Sequence, residues 1–164
     1  MIRSLQNKDI ETVCSIVNDS WRTIYFDYVN PQLLDNEGCK ERTNQLKEDF
    51  LSKRLAEYVW EEKGNVLALL SIGNTADKDQ AGAFEIWRIY IVSSARRQGI
   101  GSKLLSFAEL QAQNLGYSKI VIWAFKNNKN AISFYEKHGY HIEKEDYLGT
   151  PYCAYGVRLL KNLN

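Results

Sequence analysis

The segment Arg96-Arg97-Gln98-Gly99-Ile100-Gly101-Ser102-Lys103 sets two glycines among three fixed positive charges. The apolar run Ile89-Tyr90-Ile91-Val92 leads into it, and a long amphipathic stretch follows. That order describes a strand that ends, a tight turn and a helix that begins. A helix start carries unpaired N–H groups and the positive end of the macrodipole. Glycine lets those groups approach a ligand with no Cβ in the way. The chemistry open to such a segment is the holding of a phosphate-bearing ligand.

Two common phosphate motifs do not fit. A P-loop needs G-x-x-x-x-G-K-[ST], and Gly99 to Lys103 lacks that spacing. A dinucleotide fingerprint needs a third glycine where Leu104 stands, and an acidic residue near the next strand end, where Ile120 to Trp123 offers none. What remains is R-x-x-G-x-G, on Arg96, Gly99 and Gly101. This resembles the pyrophosphate-arm loop of the GNAT superfamily of acetyl-CoA-dependent N-acetyltransferases. Read alone, the segment also fits a plain strand-to-helix turn with solvated arginines. Two further blocks narrow the choice. Glu85-Ile86-Trp87-Arg88-Ile89-Tyr90-Ile91 is similar to the strand that precedes the loop in that superfamily. Asn128, Ala131, Tyr135, Gly139 and Tyr140 match its second block, N-x-x-A, a helical tyrosine and G-[FY]. The three blocks follow in the family's order across residues 85–140. The departures are Ser93, where proline is frequent, and Arg97, where glycine is common.

The elements that must position these residues are legible from periodicity. Ile2 to Leu5 reads as a strand. Asn7 or Asp9 can cap a helix whose apolar residues are Ile10, Val13, Ile16, Val17 and Trp21. A break at Asn30-Pro31 precedes a polar helix over about Lys40 to Leu51. Glu57–Glu61 and Asn65–Ile72 form a hairpin around Lys63-Gly64, and Thr75 to Gly82 is turn-like. Phe84–Val92 is the central strand. Gly99–Leu115 is a helix with Ile100, Leu104, Ala108, Ala112 and Leu115 on one face, ended by Gly116. Ile120–Trp123 is a buried strand, Asn130–His138 a helix stopped by Gly139, and strands near Tyr140–Glu145 and Cys153–Leu160 close the chain. The order β-α-α-β-β-β-α-β-α-β-β gives one α/β domain over residues 1–164, helices flanking a mixed sheet. The resemblance implies the same order, with the sheet splayed between Ile91 and the strand at Ile120.

Bulk properties bound the function. The chain has 164 residues and a net charge of +1, which gives no general argument for a nucleic-acid or membrane partner, and neither is expected. The N-terminus lacks an apolar signal core and no run is long enough to span a bilayer, so a cytoplasmic location is expected. Three cysteines, Cys14, Cys39 and Cys153, suit reduced thiols better than a disulfide framework, and no pattern suggests a metal. The family resemblance leaves a homodimer open.

The resemblance implies direct acetyl transfer from acetyl-CoA to an amine. An alkyl amine has a pKa near 10.4, so at pH 7 its nucleophilic form lies about 4–5 kcal/mol uphill. Glu85 is the candidate general base, alone or through water. In an ideal strand it shares a face with Trp87, Ile89 and Ile91, whose desolvation would raise its pKa. The position equally suits a surface glutamate paired with a lysine. A backbone N–H near Ile91 or Val92 would polarise the thioester carbonyl, and the same edge could pair with the pantetheine arm. Family membership assigns Tyr135 as the acid for the leaving thiolate. Cofactor contacts are expected at Ile91, Val92, Arg96, Arg97, Gln98, Gly99, Ile100, Gly101, Ser102, Asn128 and Tyr135, with Lys126 or Lys129 toward the 3′-phosphate.

The acceptor is expected to be a small-molecule primary amine: a polyamine, aminoglycoside or amino-acid-like compound. Trp21, Tyr25 and Tyr28 could offer it cation–π contacts, and Asp19, Asp27 and Asp35 could attract it. Core packing explains the same aromatics. The alternatives are a protein N-terminal or lysine acetyltransferase, a non-catalytic CoA-binding sensor, and a ping-pong enzyme using Cys153 with His138 or His141.

Overall fold

The computed structural model describes residues 1–164. Its elements are β1 (Ile2–Ser4), α1 (Ile10–Ile24), α2 (Asn36–Ser52), β2 (Ala56–Glu62), β3 (Asn65–Asn74), β4 (Phe84–Ile91), α3 (Ile100–Asn114), β5 (Lys119–Phe125), α4 (Lys129–Lys137), β6 (His141–Tyr147) and β7 (Tyr155–Asn162). This is the order expected from periodicity. The seven strands form one sheet in the order β1-β2-β3-β4-β5-β7-β6. All neighbours are antiparallel except β4 and β5.

Each face of the sheet has its own core. On one side α3 buries Ile100, Leu104, Leu105, Ala108 and Ala112 against Ile86, Ile122 and Leu159. On the other, α1 buries Val13, Val17 and Trp21 against Val59 and Leu69, with Leu46 of α2. The spacing of these residues is that of a single helical stripe meeting alternate strand positions. Leu115, expected on the buried face of α3, is 66% exposed. It is the C-cap residue, turned away as the chain swings into left-handed Gly116. Two helix starts also differ from expectation. Asp35 caps α2 by accepting from Gly38 N–H at 2.8 Å, so that helix begins earlier than Lys40. Asp9 does not cap α1; its carboxylate takes Arg3 at 2.7 and 3.0 Å and the Gln6 N–H at 2.9 Å. No helix is long and apolar enough to cross a membrane.

Two irregularities shape the centre of the sheet. β4 and β5 pair only through Phe84–Ile86 and Ile120–Ile122. Beyond that point β4 continues on β3, β5 continues on β7, and the sheet opens as a V. The second is a bulge. Ile86 pairs with Ile72 and Arg88 with Ser71, so Trp87 is the extra residue on β4. The bulge reverses the alternation. Ile89 and Ile91 pack with the α3 core, while Tyr90 packs with the α1 core. Glu85, opposite Gly73, therefore shares its face with Arg88 and Tyr90 and not with Ile89 and Ile91. The ideal-strand expectation fails here because one inserted residue shifts the phase by one.

Candidate active site

A cleft of about 720 Å³ lies in the mouth of the V. Such a volume suits a small-molecule or cofactor site. Ile89, Tyr90 and Ile91 of β4 form one wall, and Asn130, Ala131, Ser133, Phe134, Tyr135 and Lys137 of α4 the other. Ser20 and Ile24 of α1, with Tyr25 just after it, close one end. Arg96, Arg97, Gly99, Gly101 and Ser102 supply the start of α3.

That helix start is chemically open. Lys103 N–H is the first to find a helical carbonyl, Gly99 O at 3.2 Å, and no side chain caps the helix. The N–H groups of Ile100, Gly101 and Ser102 have no acceptor within the protein. By contrast α2 is capped by Asp35 and α4 by Asn128, which accepts from Ala131 N–H at 3.3 Å. Uncapped donors beside a cleft form an anion cradle. The loop reaches it through two left-handed residues, Arg97 at φ 63° and Gly99 at φ 81°. Gly99 has open space around it, so its need is conformational. Gly101 is glycine for another reason: a Cβ there would stand 3.2 Å from Phe134 Cζ and 3.4 Å from Ile91 Cδ1.

The edge of β4 presents selected amides. Val92 N–H is bonded to Leu67 O at 2.9 Å and is not available. In an antiparallel ladder the pairs alternate, so the next pair, Ala68 and Ile91, turns its N–H and C=O away from the partner strand. Ile91 N–H thus faces the gap left by β5. Arg96 does not stand free beside this gap. Its Nε donates to Ile91 O at 3.0 Å and its Nη2 to Ser20 Oγ at 3.4 Å, tying the end of β4 to α1.

Of the residues expected to meet a cofactor, Ile91, Arg96, Arg97, Gly99, Gly101, Ser102, Asn128 and Tyr135 share this cleft. Val92, Gln98 and Ile100 do not line it. Val92 packs with the core, the Ile100 side chain is 3% exposed, and Gln98 bonds Ser94 O at 3.0 Å. Ile100 can contribute only its main chain. Lys126 is held by Glu145 at 2.5 Å, and Lys129 is exposed at the first turn of α4. Lys137 lines the cleft and went unremarked in the sequence. Asn130, Ser133, Phe134 and Lys137 recur at helical spacing, which was the available signal.

Tyr135 is buried, and burial raises its hydroxyl above the ordinary value of 10.0, so it remains protonated. His138 is engaged at both ring nitrogens, with Phe134 O at 2.8 Å and Ser102 Oγ at 3.0 Å. Cys153 is exposed in the β6–β7 loop. His141 begins β6, at the far end of the β6–β7 pair from that loop, so neither histidine forms a dyad with Cys153 for the ping-pong reading.

Glu85 lies below the cleft wall, where β4 and β5 still pair, opposite Val121. It is 6% exposed. Burial pushes its carboxyl up to about 7, against a hydrogen bond from Thr75 Oγ at 2.7 Å. Asp77 also raises it, and Arg158 opposes. A surface ion pair with lysine is not what this position provides.

The acceptor-side aromatics form a cluster. Trp21, Tyr25 and Tyr28 of α1 and the turn after it meet Phe125 at 5.7, 5.0 and 5.8 Å between ring centroids. Only Tyr25 lines the cleft. Trp21 Nε1 donates to Tyr90 Oη at 3.1 Å, and the Arg42 guanidinium lies 4.1 Å from its ring centroid. The cation–π partner of Trp21 is thus internal. Asp35, counted among the acids that could attract an amine, is the α2 cap.

Both the sequence and the fold have known relatives. A family model described as the acetyltransferase (GNAT) family covers residues 11–140. The chain belongs to the GNAT acetyltransferase family. It is 34% identical to the putative phosphinothricin acetyltransferase YwnH of Bacillus subtilis over 144 residues, 85% of this chain and 82% of that one. It is 28% identical to the N-acetyltransferase YuaI of the same organism over 151 residues, 88% of this chain and 82% of that one. The structure of the putative acetyltransferase YncA from Salmonella typhimurium, solved with acetyl-CoA, superposes with a TM-score of 0.74. That pair is 19% identical over 100% of this chain and 94% of the other, which is a likeness of fold. The chain is therefore an acyltransferase of this family.

Proposed function

We propose that the protein moves the acetyl group of acetyl-CoA directly onto a primary amine of a small molecule, a polyamine, aminoglycoside or amino-acid-like compound. The observation that carries this reading is the uncapped first turn of α3, whose free N–H groups open onto the cleft between the splayed strands. The relative named for phosphinothricin acetylation supports a small acceptor, and the neighbour solved with acetyl-CoA supports the donor.

The residues divide the work as follows. The N–H groups of Ile100, Gly101 and Ser102 hold the diphosphate, with Arg97 and Lys137 as neighbouring charge. The Ile91 N–H polarises the thioester carbonyl as negative charge builds on its oxygen. Glu85 collects the proton of the acceptor ammonium. Three strand residues separate it from Ile89, about 10–13 Å along β4, so that proton reaches Glu85 through water. A carboxyl poised near 7 is suited to the task. The Tyr135 hydroxyl donates to the departing sulfur. A thiolate with an ordinary pKa near 8.5 leaves readily, so this donor assists more than it decides.

The test is an acceptor panel of spermidine, aminoglycosides, free amino acids and N-terminal peptides, read by thiol release from acetyl-CoA. Acceleration by a small amine, increasing with pH through about 7, is the expected result. Acceleration by peptides alone would replace the small-molecule acceptor with a protein one. No acceleration by any amine would leave coenzyme binding without transfer.

A further inference from the structure

Glu85 lies beneath a strap. The β3–β4 connection, residues 75–83, leaves one half of the V and is fastened to the other. Its anchor is Arg158 of β7, which is 1% exposed. Arg158 donates to Asp77 at 2.8 Å and to Asp79 at 2.9 and 2.8 Å. Glu143 of β6 accepts from the same guanidinium at 3.0 Å, and Trp123 Nε1 of β5 donates to Asp77 at 2.8 Å. The guanidinium is buried while Asp79 is half exposed, and its shared bonds to Asp77 and Asp79 fasten the strap at two points.

From this strap Thr75 reaches down. Its hydroxyl donates to Glu85 Oε2 at 2.7 Å, and the Asp77 N–H donates to Thr75 Oγ at 3.2 Å. The second bond occupies a lone pair on Oγ and directs the hydroxyl proton toward Glu85. It is the one side-chain hydrogen bond that Glu85 receives.

We propose that Thr75 is a positioning residue for Glu85 in acetyl transfer, orienting the carboxylate and favouring its proton-accepting form. The inference rests on Glu85 being the general base. Four charged groups stand around Glu85: Asp77 on the strap, Arg158 from β7, Arg54 beyond the end of α2, and Arg88 on the same face of β4, itself paired with Asp49 and Glu57. None of them donates a hydrogen bond to it; the Ala76 N–H is a main-chain donor that also favours the ionised carboxyl, and a change of the Thr75 side chain leaves it in place. Loss of a donor to an ionised group is a large enough change to move a titration by about one pH unit.

The experiment compares Thr75→Val, which keeps the shape and removes the donor, with Thr75→Ser, which keeps the donor. Carbon NMR of glutamate-labelled protein, with Glu85 assigned by its absence in Glu85→Gln, reads the carboxyl directly. The pH–rate profile with the fastest amine of the panel reads its use. Thr75→Val is expected to move both midpoints up by about one unit and to leave the KM for acetyl-CoA unchanged; Thr75→Ser is expected to restore both. An unmoved Glu85 midpoint in folded Thr75→Val overturns the role of Thr75 and leaves the base assignment standing. A midpoint that moves while the rate profile does not, or a Glu85→Gln enzyme with wild-type kcat/KM, overturns the base assignment and the inference with it.

Discussion

The first turn of α3 and the carboxyl of Glu85 lie on opposite sides of the place where β4 and β5 part, and their polar groups are treated oppositely. At α3 three N–H groups in succession have no acceptor in the protein, although two other helices carry their own caps. At Glu85 the neighbours are tied: Thr75 to the carboxylate, Asp77 to Thr75, and Arg158 to Asp77 and Asp79. In the proposed reaction the unmet donors receive a ligand that arrives from outside, and the closed set of bonds surrounds a group whose protonation must be controlled. The splay makes both available in one sheet, since it frees the Ile91 N–H while the paired half keeps Glu85 covered.

The largest expected effect removes the covered group. Glu85→Gln should lower kcat/KM for the amine by about 10²–10⁴ and erase the rise through about pH 7, with acetyl-CoA affinity retained. Steady-state thiol release across pH checks this. The same change should stabilise the fold. The folded protein keeps the Glu85 proton up to about pH 7, whereas the ordinary value is 4.5, so stability declines as pH rises through that window. Relief of that burden at pH 7 is of order 1–3 kcal/mol by denaturant titration. An inactive Glu85→Gln that is no more stable than wild type would break the contrast between covered and open groups.

Tyr135→Phe should lower turnover by about 10²; an unchanged kcat would take Tyr135 out of the reaction. On the open side, Gly101→Val tests packing and binding together. Its Cβ would press on Phe134 and Ile91, so a loss of about 1–3 kcal/mol in stability should accompany weaker coenzyme binding by calorimetry. The smallest effect is expected from Arg97→Gly. Releasing a left-handed arginine should add about 1 kcal/mol of stability while removing one charge beside the cradle.

These contrasts also mark what the sequence could disclose. The order of all eleven main elements followed from periodicity and from the glycines that stop α3 and α4. The loop from Arg96 to Ser102 was legible because its residue types have a direct physical use. The bulge at Trp87 was not, since no glycine or proline marks it and it exists only in the pairing with β3. The strap has the polar composition of a turn. Its function depends on Asp77 and Asp79 meeting Arg158, 81 and 79 residues away along the chain, which local pattern cannot report. The aromatics of α1 were legible as a group, but the occupation of Trp21 by Arg42 depends on how α2 packs.

The central claim is that the open turn of α3 receives the diphosphate of the acetyl donor. A crystal structure of the protein with acetyl-CoA tests it most directly. The account predicts phosphate oxygens within hydrogen-bonding distance of the N–H groups of Ile100, Gly101 and Ser102, and the thioester beside Ile91. A diphosphate bound anywhere else on the molecule would contradict it.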